Sequence, residues 1–299
     1  MVISRRDFLK YCTGSAAALG LTASHLAKLA SALTSPAGPT VLWLQGAGCT
    51  GCSISFLDHI SGSAPHNAGE VLIDVINLAY HPNIMASAGQ TAVNVAETTY
   101  DQGGYVLVVE GGIPTAFGGN ACWAWTDGQR DVTFEEAVNR FASRAAAIVC
   151  MGQCSSYGGI FGAPPNPTGV KSVKELTGKS TINVAGCPPH PDWLISVVAK
   201  LVAGIPINVD AYGRPTDLYS LRIHDTCPLR HAGEAHYLGE KGKCLEELGC
   251  RGKQSQSKGT CPTNMFNNGV NFCTIAGAPC FGCTNPDFPG TDPFFEEDD

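Results

Sequence analysis

The sequence predicts an α/β fold: a doubly wound parallel sheet, followed by a loop-rich region with little regular structure of its own. Three observations predict it. Between Pro39 and Pro206 short apolar runs alternate with helical patterns, as parallel strands joined by crossover helices do. Three of these runs end in loops that carry glycine and cysteine. Beyond Pro206 the periodicity fades, while seven of the fourteen cysteines are still to come.

The totals narrow the classes. With 299 residues, 44% hydrophobic and only 15% charged, the chain can bury a large core and has either an unusually uncharged surface or one covered by a partner. A net charge of −7 and the lack of a basic stripe argue against nucleic acid. Fourteen cysteines exceed ordinary usage but fall short of a disulfide scaffold.

Residues 1–35 read as a targeting segment rather than structure. Arg5-Arg6 within Ser4–Lys10 is a twin-arginine pattern, a weakly apolar stretch runs from Ser15 to Ala27, and Ala30-Ser31-Ala32 offers a cleavage site. The apolar stretch is interrupted and too short to anchor the chain in a membrane. Because the twin-arginine route generally serves proteins that fold and load cofactors before export, it points to the periplasm and to a cofactor together.

Residues 36–206 form the sheet domain. Strands are expected at Thr40–Gln45, Val71–Ile76, Tyr105–Glu110, Ala146–Met151 and Ser180–Ala185. Helices are expected at Thr133–Ala146, opened by a capping box of Thr133 and Glu136, and at Trp193–Ala203, stopped by Gly204. Five strands in this order fit a flavodoxin-like sheet, which places its ligand beyond the carboxyl ends of the strands. There the first strand delivers Cys49 and Cys52, the fourth Cys154 and the fifth Cys187. The C-x-x-C pair alone fits a metal corner or a redox disulfide equally. Four cysteines at one sheet edge favour a metal centre.

Residues 207–299 are too long to be an ordered loop without a scaffold, and metal centres would supply one. His224, Cys227, Cys244 and Cys250 come first, then Cys261, Cys273, Cys280 and Cys283. Structural zinc and iron–sulfur clusters both take four such ligands. Eleven cysteines and His224 make twelve ligands, enough for three clusters. Cys12 falls in the export segment, and Cys122 and Cys150 are expected to be structural thiols.

GCTGCS at 48–53, VEGGIPT at 109–115, MGQCSSYGG at 151–159, GCPPHPDW at 186–193, HDTCP at 224–228, CLEELGC at 244–250 and NFCTIAGAPCFGC at 271–283 together resemble the small, iron–sulfur subunit of nickel–iron hydrogenases, over essentially the whole chain. The resemblance implies an electron-transfer subunit with no nickel of its own. It would relay electrons between hydrogen chemistry in a nickel–iron or nickel–iron–selenium large subunit and an acceptor such as a c-type cytochrome. It implies a proximal four-iron cluster on Cys49, Cys52, Cys154 and Cys187, and a distal four-iron cluster on His224, Cys227, Cys244 and Cys250. Cys261, Cys280 and Cys283 match the medial cluster. Where many members have proline and three irons, this chain has Cys273, so three 4Fe–4S clusters are expected, a three-iron medial cluster being the alternative. Oxygen-tolerant members carry two further cysteines where Gly51 and Gly159 stand here, so the proximal cluster is expected to be of the ordinary kind. Membrane-bound members end in an anchor helix; the acidic end here, Glu296 to Asp299, is expected to leave a periplasmic enzyme without a transmembrane anchor.

Glu110 is expected to hydrogen-bond the glycine-rich loops, with proton relay as its other role. His190 should order its loop rather than bind metal; His66 has no assigned role, and Arg222 and Lys243 flank the distal ligands. Two other classes share part of the pattern. A quinone-reductase-type respiratory subunit has the sheet and the proximal motif, but it usually has adjacent cysteines and lacks the second cluster region. A free-standing exported iron–sulfur carrier would have no catalytic partner.

Overall fold

The computed structural model describes residues 5–17, 19–32, 38–61, 66–257 and 260–291. Ser4, residues 33–37 and the acidic end lie outside them.

The segment expected to be a targeting signal carries structure here. Helices α1 (Arg5–Gly14) and α2 (Ala23–Ala32) pack on the sheet domain, burying Phe8, Cys12, Leu19 and Leu29. Tyr11 donates to Asp192 at 3.0 Å, and Ser196 donates to the Leu19 carbonyl. The alanine-bounded cleavage pattern falls in the last turn of α2.

Five parallel strands form the sheet: β1 (Thr40–Gln45), β2 (Asn77–Tyr80), β3 (Val106–Glu110), β4 (Ala147–Met151) and β5 (Ile182–Val184), in the order β2-β1-β3-β4-β5. This is the flavodoxin-like order. Four strands fall where the sequence places them. The second does not: Val71–Val75 is a π-helical turn, and the strand begins at Asn77. Helical capping explains the difference, because the Asn67 side chain accepts the Glu70 amide and starts the chain in helix. A short unbroken apolar run does not by itself separate strand from buried helix.

Alternation along the strands builds two cores. Val41, Trp43, Val106, Val108, Val149 and Met151 face one layer; Leu42, Leu44, Leu107, Val109, Ile148 and Cys150 face the other. Helix α3 (Gly51–Leu57) follows β1 and helix α4 (Gly89–Gln102) follows β2. Helix α5 (Phe134–Ala142) seals the second core with Phe134, Val138 and Phe141. Thr133 accepts the Glu136 amide at 3.1 Å as expected, but the Glu136 carboxylate turns to Arg130 at 2.8 Å, so only half of the capping box forms. Helix α6 (Gln153–Tyr157) follows β4. Helix α7 (Pro191–Val202) lies on the first core, its start capped by His190, whose Nδ1 accepts the Asp192 amide.

The region after Ile205 has only short turns and helices. Its own apolar cluster is Ala235, Leu245 and Leu248, whereas Phe272, Cys261 and Cys280 join the core of the sheet domain. Arg214, 3% exposed, ties separate segments of this region together. Its Nε donates to Asp210 at 2.8 Å, and its two other nitrogens reach the Thr284 carbonyl at 3.0 Å and Gln256 Oε1 at 2.7 Å. Arg214→Ala strands three acceptors and should cost about 3 kcal/mol. Its readout is a lower temperature of iron loss from the purified complex.

Candidate metal centres

The first site grows out of strand ends. Beyond β1 the chain turns sharply at Thr50, whose φ of 64° is left-handed, and Cys49 and Cys52 flank that turn. Gly111, at φ 87°, lets the loop after β3 lie directly against Gly46 and Ala47; a Cβ there would strike their backbone. Beyond β4, Gly152 starts α6 and brings in Cys154. Beyond β5, Cys187 opens the loop into α7. Side chains at Gly51, Gly152 and Gly159 would collide with the sulfurs of Cys49, Cys52 and Cys154, so glycine keeps the backbone close around the thiols.

The four thiols act on one another. Cys52 is held well above the usual thiol range, first by burial and then by the charges of Glu110, Cys154, Cys187 and Cys49. Burial, then Cys187 and Cys49, pushes Cys154 up to about 12. Burial and then Cys49 raise Cys187. Buried thiols crowded in this way resist ionising without a cationic centre to bind.

A second group, His224, Cys227, Cys244 and Cys250, lines one cavity with Ile223 and Leu245. Burial raises Cys250, with the charges of Cys227 and Cys244 adding to it. The third group lies between the other two. Burial pushes Cys261 up to about 12, with Cys280 and Cys273 contributing. Burial also raises Cys283, which feels Cys261, Cys273 and Cys187 of the first group. The Cys280 amide donates to the Cys250 sulfur of the second at 3.3 Å. Cys273 thus stands with Cys261, Cys280 and Cys283.

All fourteen cysteines are free thiols. Among the described residues, no three His, Cys, Asp or Glu side chains close on a single-ion point. A cluster is a cage whose ligand sulfurs stand apart, and sets of four thiolates, or three with an imidazole, fit that chemistry. Cys150 is fully buried and raised to about 12, and Cys122 sits half-buried near the hairpin of Trp123–Asp127 and Arg130–Thr133. Cys12 is buried in α1.

The remaining candidates are local. His190 caps α7 and its Nε2 meets the Met265 carbonyl at 2.6 Å, so it orders two loops. His66 contacts the Ser61 carbonyl at 3.1 Å, and Arg222 pairs with Asp225 at 3.0 Å. Lys243 lies over Gly233. Glu110 hydrogen-bonds the first turn of α3, directly after the glycine-rich loop, through the Ser53 amide at 3.1 Å. Sequence reasoning missed the partners that hold this carboxylate, Trp43, Ser53 and, behind Ser53, His81. It also missed Arg214. No local spacing links these residues, which meet only once the sheet forms.

Residues 49–201 match the family model for the 20 kDa subunit of NADH–ubiquinone oxidoreductase, and residues 219–296 match that for the carboxyl-terminal region of the NiFe/NiFeSe hydrogenase small subunit. The first half alone therefore does not separate respiratory from hydrogenase subunits; the second half does. The chain is 40% identical to the periplasmic NiFe hydrogenase small subunit of Solidesulfovibrio fructosivorans, over 99% of this chain and 93% of that one. It is 36% identical to the periplasmic NiFeSe hydrogenase small subunit of Desulfomicrobium baculatum, over 99% of both. The structure of the reduced, active NiFeSe hydrogenase from Desulfomicrobium baculatum superposes with a TM-score of 0.80 at 35% identity, covering 87% of this chain and 100% of that one. The chain belongs to the family of nickel–iron hydrogenase small subunits, which serve as the electron-transfer subunit of a hydrogenase complex.

Proposed function

We propose that twelve residues hold three iron–sulfur clusters in line: a proximal one on Cys49, Cys52, Cys154 and Cys187, a medial one on Cys261, Cys273, Cys280 and Cys283, and a distal one on His224, Cys227, Cys244 and Cys250. The observation that carries this is the contact of the middle group with both others, Cys283 with Cys187 and Cys280 with Cys250. Three neighbouring one-electron sites would carry charge across a protein too thick for one jump. A neutral imidazole in place of a thiolate makes the distal cluster less negative and suits it to the exit end.

All twelve ligands are used by clusters, so no nickel site is proposed in this chain. Ile54 (60% exposed), just after Cys52, and Ile160 (54%), just after the turn that carries Cys154, are exposed apolar side chains beside proximal residues and support coverage by the large subunit. By the names of its relatives the enzyme is proposed to be periplasmic, with export by the twin-arginine route and a c-type cytochrome as acceptor. Among the described residues no helix is long and apolar enough to cross a membrane.

Affinity purification of the tagged chain tests the assembly. A co-purifying larger subunit that contains nickel is expected. Recovery of an iron-loaded chain alone would favour a free-standing carrier. Gly51 and Gly159 support an ordinary proximal cluster, which titrates in one one-electron step; two such steps would contradict it. Cys273→Pro should convert the medial cluster to three irons and raise its potential, read as the loss of about one iron and a new sharp EPR signal in the oxidised complex. An unchanged iron count would remove Cys273 from the ligands.

A further inference from the structure

Glu110 ends β3 beside the proximal group and is 2% exposed. All three groups bonded to it are donors. The Ser53 amide donates to Oε1 at 3.1 Å, the Trp43 indole N–H donates to Oε2 at 3.1 Å, and the Ser53 hydroxyl also donates to Oε2.

His81, fully buried, fixes the direction of that hydroxyl. Its Nδ1 lies 3.1 Å from the Asn83 amide, which can only donate, so Nδ1 is bare and the ring proton sits on Nε2. Nε2 is 3.1 Å from Ser53 Oγ and donates to it. The Ser53 proton then points to Glu110. Burial lowers His81 to about 4, which keeps the ring neutral. Hydrogen bonds therefore run one way, from Asn83 through His81 and Ser53 to the carboxylate. A proton leaving Glu110 along this line would need His81 Nε2 to accept it, and Nε2 already carries the ring proton because Nδ1 faces the Asn83 amide.

The charge gathered there acts on the proximal thiols. Glu110 accepts the amide of Ser53, the residue directly after Cys52, so the carboxylate lies beside the proximal group. A buried anion raises the cost of adding an electron nearby, and low dielectric makes the effect larger than in water.

We propose that Glu110, held by the donors of Trp43 and Ser53 with His81 behind them, is a fixed charge that sets the proximal cluster at a more negative potential and does not carry protons. This rests on the assignment of the proximal ligands. The test is potentiometric titration of the purified heterodimer, followed by EPR of the reduced proximal cluster. Glu110→Gln keeps size and an acceptor oxygen but removes the charge. Its midpoint should move to a more positive value, by a tenfold or larger change in the one-electron reduction equilibrium, about 59 mV. Ser53→Ala keeps the charge and removes one screening donor, so its midpoint should move to a more negative value. This second variant carries the test should the first fail to assemble.

A midpoint unmoved by Glu110→Gln, or moved positive by Ser53→Ala, overturns the fixed charge while leaving the cluster assignment standing. A redox-difference infrared spectrum with a protonated-carboxyl band that disappears in Glu110→Gln overturns it too. If Cys154→Ala leaves iron and sulfide content unchanged, the ligand assignment falls and the inference falls with it.

Discussion

Cys154→Ala should abolish reduction of external acceptors by hydrogen. The loss should exceed the roughly 10–100-fold that removal of an outer partner of a metal ligand costs. Cys154 enters the proximal group from α6, on a turn that only glycine at Gly152 permits so close to the Cys52 sulfur. No described cysteine outside the twelve lies in that group to replace it: Cys150 is buried within the second core, Cys122 is near the surface hairpin and Cys12 is in α1. Hydrogen–deuterium exchange, which requires only the large subunit's chemistry, should persist in whatever complex assembles. Cys122→Ala is the matched control and should leave iron content and electron transfer unchanged. Equal loss in both variants would mean that the thiols act through folding alone.

Removal of the clusters should unfold the second half of the chain and spare the first. The described residues of 207–291 have a small apolar cluster of their own, Ala235, Leu245 and Leu248, and lend Leu218, Tyr219, Ile223 and Phe272 to the core of the sheet, which is closed on both faces by its helices. Short turns such as Glu246–Leu248 and Arg251–Lys253 bury little on their own. Ligand binding must supply the ordering free energy there, as in small metal-folded domains. Limited proteolysis after chelation under reducing conditions should cut within 207–291 and leave a protected fragment containing the sheet. Simultaneous cleavage throughout would show that the whole chain folds as one cooperative unit.

The sheet was legible because its central strands are unbroken apolar runs that end at glycine. Val106–Glu110 is buried at every residue, and parallel strands buried on both faces read this way. The same signal failed at Val71–Ile76, where burial is helical and the strand beyond it, Asn77–Tyr80, is largely uncharged but not strongly apolar. The four cysteines at the sheet edge could be grouped from topology alone. The other eight proposed ligands could not, since no regular element orders that region, and their division into two sets came from resemblance. Trp43, Ser53, His81 and Glu110 are separated by up to 67 residues and meet through strand register, with Gln45 opposite Glu110. The packing of α1 and α2 was hidden for a different reason, because two arginines ahead of a weakly apolar, alanine-rich stretch read as an export signal.

The central claim is a three-cluster relay with a four-iron medial centre, and low-temperature EPR with iron quantification on the oxidised, anaerobically purified complex tests it most directly. Three oxidised four-iron clusters predict about twelve irons per small subunit and no sharp, nearly isotropic signal. A stoichiometric signal of that kind with about eleven irons would contradict the four-iron medial centre. Little iron, with zinc bound in its place, would contradict the relay itself.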